Sequence, residues 1–285
     1  MAIELTHARH DPMHCLAPGL FRSLKRGERK KLKLDVTYSY GQNQSARFIG
    51  FEPLGADDMR LLQGLVALSG PKGVILTSAP SAAIPKRLRL ALASEFDSAD
   101  CRCLVVQSRI TQLLEEIGLC KSGRNLKTLK ASLIRMSNVT VVIQGDSRCA
   151  SFHLMSHLFD DHDNALYICL NPQIAEAVLG GRPHARIDMN EVRSLKSDPA
   201  RLIHQRLCGW IDPGKSGRAS LDTLCSYIWP DPAIADAMRK RQQIARRAVG
   251  ELFTIGWLVT EYRKDMWEIR RPRNSDLTQQ SWTPG

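Results

Sequence analysis

The sequence predicts an α+β fold in which two similar modules follow a basic N-terminal arm. Three observations carry this prediction. The order helix, capped helix, basic-striped helix and hairpin occurs twice along the chain. From Met238 to Arg247 the apolar residues recur at helical spacing while Arg, Lys and Gln occupy the other side. Basic residues concentrate at both ends of the chain, leaving the middle nearly neutral. The implied organisation is an arm over 1–33, a first module over 34–190 that includes a hairpin, a second module over 191–271, and a disordered tail over 272–285.

Composition fixes the class. Of the 285 residues 43% are hydrophobic and 24% charged, which describes a folded chain long enough for one large or two ordinary domains. No apolar run approaches the roughly 20 residues that cross a bilayer. The first residues carry His and Asp instead of a basic region followed by an apolar core, so no signal peptide is expected and a cytoplasmic location is. The eight cysteines contain no Cys-x-x-Cys pair, and most lie in apolar runs such as Tyr167-Ile168-Cys169-Leu170, the pattern of small buried hydrophobes in a reducing compartment. Cys101-x-Cys103 is too tight for a structural zinc site, and neither metal nor cofactor is expected. The net charge of +11 divides as +5 over residues 1–50, +1 over 51–200 and +5 over 201–285. Basic ends point to an acidic polymer as partner. Nucleic acid fits better than a membrane, because no N-terminal amphipathic helix pairs cations with bulky apolar residues.

Taken in order, the arm carries seven basic residues between Arg22 and Lys33, which self-repulsion should keep extended. Leu34 to Tyr40 alternates apolar and polar residues, and Ser45 to Phe51 returns as its hairpin partner. Asp57-Asp58 place negative charge at a helix start, and Leu61, Leu62, Leu65, Val66 and Leu68 form its apolar face up to Gly70-Pro71. This apolar helix is also the segment expected to support self-association. Gly73 to Cys103, broken by Pro80 and Pro85, gives no clear element. Ser108 is the expected cap of a helix through Leu119. Gly123 to Asn138 forms the striped helix, with Leu126, Leu129, Leu133 and Met136 inward and Arg124, Lys127, Thr128 and Arg135 outward. Val139–Gln144 and Cys149–Met155 form strands around Gly145-Asp146-Ser147-Arg148, and Ala165–Leu170 adds another.

The second module repeats that order. Asp198-Pro199 supplies a cap and a first-turn proline for a helix with Leu202, Ile203, Leu207 and Trp210 inward. After the loop Asp212 to Arg218, Ser220 caps a short helix ending at Trp229-Pro230. A long helix then runs from Ala233 to Ile255, with Ala237, Ile244, Ala248, Leu252 and Ile255 on one side and Arg239, Gln243 and Arg246 opposite, flanked by Lys240 and Arg247. Arg241 falls towards the apolar side. Trp257–Tyr262 and Met266–Arg271 close the module as a hairpin around Arg263-Lys264-Asp265.

A basic stripe by itself is usually a solvated face. Its place between a capped helix and a hairpin, twice over, is instead the outline of two winged-helix (helix-turn-helix) units, whose striped helix enters the major groove of double-stranded DNA. Arg and Gln suit phosphate pairing and base-edge hydrogen bonds. The expected DNA contacts are Lys25, Arg26, Arg29, Lys30 and Lys31 in the arm, Arg124, Lys127, Thr128 and Arg135 in the first module, and Lys215, Arg218, Arg239, Lys240, Gln243, Arg246 and Arg247 in the second.

The stretch Arg9-His10-Asp11-Pro12, then His14-Cys15-Leu16-Ala17-Pro18-Gly19-Leu20-Phe21-Arg22 and Leu24-Lys25-Arg26-Gly27-Glu28-Arg29-Lys30, resembles the N-terminus of the RepC replication initiators of IncQ-type plasmids. So do Glu52-Pro53-Leu54-Gly55-Ala56-Asp57-Asp58 and, most closely, Ala200-Arg201-Leu202-Ile203-His204-Gln205-Arg206-Leu207-Cys208-Gly209-Trp210-Ile211-Asp212-Pro213-Gly214-Lys215. The resemblance runs from about residue 9 to 271, except over Gly73 to Cys103. It implies two winged-helix domains that bind direct repeats (iterons) at the origin of vegetative replication and open adjacent AT-rich DNA. It further implies work with a plasmid helicase and primase, and self-association through the first domain.

Enzymatic alternatives lack their residues. There is no Gly-x-x-x-x-Gly-Lys-Ser/Thr phosphate loop and no His-apolar-His pair beside a Tyr. His153 and His157 with Asp160, Asp161, His162 and Asp163 form the best metal-like cluster, and a polar loop explains them more simply; the same holds for His7, His10, His14 and Cys15. The expectation is a non-enzymatic DNA-binding protein, with a two-module winged-helix transcriptional regulator as the alternative.

Overall fold

The computed structural model describes residues 7–76, 103–145, 147–160 and 165–273. Pro80, Pro85, Asp146, Asp161, His162, Asp163 and the tail from Asn274 lie outside these residues.

Residues 7–24 do not form an arm. Strand β1 (His7–His10) pairs antiparallel with β10 (Ala185–Asp188). Helix α1 (Pro12–Leu16) follows, capped by Asp11, whose carboxylate accepts from the Met13 amide at 2.8 Å. Ala8, Met13, Cys15, Leu20 and Phe21 are buried, so their transfer from water fixes the segment against the expectation of an extended arm. The basic stretch itself does not extend either. It folds into turns over 26–31, with the Glu28 carboxylate accepting from the Lys25 amide at 2.8 Å.

Helix α2 (Ala56–Lys72) is the centre of the first half. It continues one residue past Gly70-Pro71, to Lys72, and its residues Leu61, Leu62, Leu65, Val66 and Leu68 are all within 1% of full burial. Among its described side chains, up to Gly70, the helix therefore exposes no large apolar residue for self-association. A Cβ on Gly64 would collide with the Ile117 side chain, so glycine there allows the close approach of α3 (Ile110–Glu116). Arg109, not Ser108, sits at the cap of α3, without a capping hydrogen bond, while the Ser108 hydroxyl donates to the Arg109 carbonyl. Helix α4 (Gly123–Ser137) is capped by Ser122, which accepts from the Asn125 amide.

Two antiparallel sheets complete this half. One has the order β2-β3-β6-β7, built from β2 (Leu34–Tyr40), β3 (Gln44–Gly50), β6 (Thr140–Gln144) and β7 (Cys149–His153). The other has the order β4-β5-β9-β8, from β4 (Gly73–Leu76), β5 (Cys103–Ser108), β8 (Met155–Asp160) and β9 (Ala165–Leu170). His153 and His157 thus lie on different strands instead of one helical turn apart, and the Ser137 hydroxyl is 2.7 Å from His157 Nδ1. Helix α5 (Pro172–Leu179) then leads to β10.

Helix α6 (Met189–Ser194) bridges to the second half. Helix α7 (Asp198–Cys208) is capped by Ser197, which leaves Asp198 and Pro199 in its first turn. Helix α8 (Leu221–Ile228) is capped by Ser220 as expected, and helix α9 (Ala235–Phe253) packs on both α7 and α8. The supposed loop before α8 contains β11 (Ser216–Ser220), which joins β12 (Leu258–Arg263) and β13 (Met266–Arg270) in a sheet of order β11-β13-β12. One apolar core runs from Ala8 to Ile269 through both halves. Gln63 of α2 donates to Gln205 of α7 at 2.6 Å, a polar link between them.

Four of the cysteines (Cys15, Cys169, Cys208 and Cys225) are buried free thiols, as their apolar surroundings imply, whereas Cys120 and Cys149 are exposed. Among the described residues, no helix is long and apolar enough to cross a membrane.

Candidate nucleic-acid interface

The phase of α9 decides which cations face outwards. Its buried stripe is Ala245, Ala248, Val249 and Leu252, whereas Ile244 is 39% exposed. The inward face is therefore rotated from the predicted one, centring the outward face on Arg239, Lys240, Gln243 and Arg247, all exposed. Among the described residues Arg239 meets Asp236 of its own first turn, at 3.5 Å with both side chains more than 80% exposed, a pair of little energetic weight.

Arg246 falls on the flank of α9 and faces the hairpin. Its guanidinium bonds Asp265 in the turn between β12 and β13 and lies 3.6 Å from Glu261. Asp265 holds a left-handed conformation (φ 62°), its amide donates to Glu261 at 2.7 Å, and its carbonyl accepts from the Leu221 amide at 2.8 Å. Arg246 thus clamps the hairpin to the helix and is not the free outward side chain that spacing alone predicts. On the other flank, Arg241 lies over the Trp229 ring and donates to the Asp231 carbonyl; Gln242, one turn before Arg246, donates to Asp222 at 2.9 Å. These contacts set the angle between α8 and α9.

The N-terminal segment braces the same corner. Arg22 pairs with Asp231, the Ser23 amide donates to the Ile228 carbonyl at 2.9 Å, and a Cβ on Gly19 would meet Pro230 at 2.9 Å.

Beside α9, Lys215, Arg218, Arg263 and Lys264 are exposed on the β11-β13-β12 sheet and its turn. Arg218 stacks over Tyr262 at 5.0 Å and lies 3.7 Å from Glu268. Arg263 and Lys264 belong with this surface although spacing did not single them out; their signal is their place at a hairpin turn.

In the first half, Arg124, Lys127 and Thr128 are exposed on α4. Arg135 is not: its side chain is 10% exposed and enters a buried network. Asp58, fully buried, accepts from Arg135 Nη2 at 2.8 Å, from Arg29 Nη1 at 2.7 Å and from the Gly55 amide at 2.8 Å. Asp57 joins both guanidiniums, at 2.9 Å to Arg29 and 3.4 Å to Arg135. A buried carboxylate without cations would be costly, which is why both arginines turn inwards. Burial works against the Arg29 charge, but the two carboxylates outweigh it and hold its pKa above the ordinary value. Lys25, Arg26, Lys30 and Lys31 remain exposed around the anchored Arg29. Arg148, at the β6–β7 turn, is exposed and was also missed.

Three comparisons bear on this surface. Among curated proteins none matches the chain. Solved structures of similar fold include domains 2 and 3 of RctB, at TM-score 0.56 and 10% identity over 92% of this chain and 98% of that one. A second crystal structure of RctB domains 2–3 gives 0.53 and 10% over 94% and 99%. The Pi initiator protein, crystallised with iteron DNA, gives 0.53 and 12% over 96% of this chain and 100% of that one. The mixed helix-and-sheet fold is therefore one shared with RctB domains 2 and 3 and with the Pi initiator protein. The model of the family described as Replication protein C (RepC) matches residues 2–273, and the chain belongs to that family.

Proposed function

We propose that the protein initiates plasmid replication by binding direct repeats at its origin through two tandem winged-helix units, then promoting opening of adjacent AT-rich DNA. The observation that carries this is the exposed stripe Arg239, Lys240, Gln243 and Arg247 on a helix held between α8 and a hairpin, in a fold shared with an initiator crystallised on iteron DNA. At ~1.5 Å per residue α9 is roughly 28 Å long, enough to lie in a major groove and reach the flanking backbone. Arg239 and Gln243 are assigned to base edges, Lys240 and Arg247 to phosphates. Lys215, Arg218, Arg263 and Lys264 form the wing contacts.

The first half presents Arg124, Lys127 and Thr128 to a neighbouring groove. Lys25, Arg26, Lys30 and Lys31 contact phosphates regardless of sequence. Arg29 and Arg135 have structural roles. The protein acts by binding, without catalysis of its own, and recruits a helicase and primase to the opened DNA.

DNase footprinting on the origin of the plasmid that encodes the protein, with permanganate probing of thymines, tests this directly. Regular protected repeats beside reactive thymines are expected. Replacing Arg239, Lys240 and Arg247 by alanine should abolish the repeats' protection and reduce the salt slope of binding by up to about 0.9 per lost phosphate contact. Protection of one isolated site without melting would indicate a transcriptional regulator instead.

A further inference from the structure

Glu191 on α6 meets His204 and Cys208 on α7 in the interior of the protein. His204 and Cys208 are one helical turn apart and so project side by side. His204 Nε2 lies 2.6 Å from the Glu191 carboxylate and 3.5 Å from Cys208 Sγ, and the three donor atoms fall within 4.8 Å of one another. All three residues are at most 5% exposed. This is the one group of such donors brought together among the described residues. The imidazole also packs edge-to-face with the Trp257 ring, with centroids 5.6 Å apart, and His204 Nδ1 is buried without a hydrogen-bond partner among the described residues.

We propose that Glu191, His204 and Cys208 form a zinc site that joins the bridging helix α6 to α7. The donor set selects the metal. A thiolate and an imidazole with one carboxylate suit zinc and are poor ligands for calcium or magnesium. Charge supports the same assignment. A zinc dication, one carboxylate, one thiolate and a neutral imidazole sum to zero, so the buried cluster closes with no uncompensated charge. The 2.6 Å nitrogen–oxygen contact opens by roughly half an ångström to admit the ion at ordinary zinc–ligand distances. Three protein donors leave the fourth tetrahedral position to a water molecule.

The location gives the site its role. Residues 195–197 between α6 and α7 are already tied to α9, because the Glu251 carboxylate accepts from the Lys196 and Ser197 amides at 3.2 and 3.1 Å. A metal across α6 and α7 fixes the remaining side of that junction, and with it the orientation of the two halves.

The test uses full-length untagged protein from zinc-supplemented culture, purified without chelator. Elemental analysis should find about one zinc per chain. Cobalt exchanged into the site should show near-ultraviolet thiolate-to-cobalt absorption. Cys208→Ser and Glu191→Gln should lose metal by at least about tenfold, while Cys15→Ser, also at a buried cysteine, should retain it. Folded wild-type protein that contains no zinc, and whose melting temperature is unmoved by added zinc, would overturn the proposal even if the variants fail to fold. Full zinc occupancy in Cys208→Ser would overturn it as well.

Discussion

Replacing Asp58 by alanine separates structural arginines from DNA-binding ones. The carboxylate is fully buried and accepts from two guanidiniums and one backbone amide. Breaking a buried pair by removing one partner costs about 3–5 kcal/mol. Here the cost falls near the lower end, about 3 kcal/mol, because the Arg29 side chain is 23% exposed and Asp57 still faces both arginines. Arg135→Ala should cost a similar amount, and the double variant should fall short of the sum by more than about 1 kcal/mol, since both changes remove the same contacts. Urea unfolding followed by circular dichroism measures all three. The salt dependence of DNA binding by folded Arg135→Ala should match wild type. A salt slope reduced by about 0.9 with unfolding unchanged would show that Arg135 binds phosphate and that the network is incidental.

Two further perturbations address the clamp and the buried N-terminal segment. Asp265→Asn keeps a residue that tolerates the left-handed turn but releases Arg246; stability should change by less than about 1 kcal/mol, while DNA binding should become more salt-dependent and less specific. An unchanged salt slope would mean that Glu261 alone holds Arg246 away from DNA. His10 is fully buried, and burial, helped by His14, holds its pKa down to about 4. Because the folded value is depressed below 6.5, the neutral ring stabilises the fold above that pH, and this contribution is lost as pH falls towards 4. Between pH 7 and pH 5 the loss is about 2 kcal/mol, so His10→Gln should flatten the pH dependence of urea unfolding by that much; identical slopes would refute the assignment.

Helices α2, α4, α7 and α9 and the hairpins β2–β3, β6–β7 and β12–β13 were legible in the sequence because each repeats its apolar residues at a clear period. The elements missed are short. Strands β1 and β10 have four residues each, and their pairing joins positions nearly 180 residues apart, which no local pattern records. The basic run from Arg22 to Lys33 misled for a related reason. Its charge was visible, but the carboxylates that anchor Arg29 lie some thirty residues later. Arg246 shows the same limit at finer scale. Helical spacing placed it within one residue of its true direction, yet that difference separates an open groove-facing position from an ion pair with Asp265. The Glu191, His204 and Cys208 cluster escaped notice because its third member comes from another helix and no Cys-x-x-Cys spacing announces it.

The N-terminal cross-brace has a consequence for biosynthesis. His7–His10, Gly19, Arg22 and Ser23 leave the ribosome first, but the strand and corner they meet, Ala185–Asp188 and Ile228–Asp231, emerge about 175 to 210 residues later. At ~5–20 residues per second the early segment waits roughly 10–45 s for its partners. The chain must therefore finish folding after most of it has been made, with that segment open to chaperones or to aggregation in the interval. A bulky insertion beside β1 would consequently disturb the corner between α8 and α9 at the far end of the sequence.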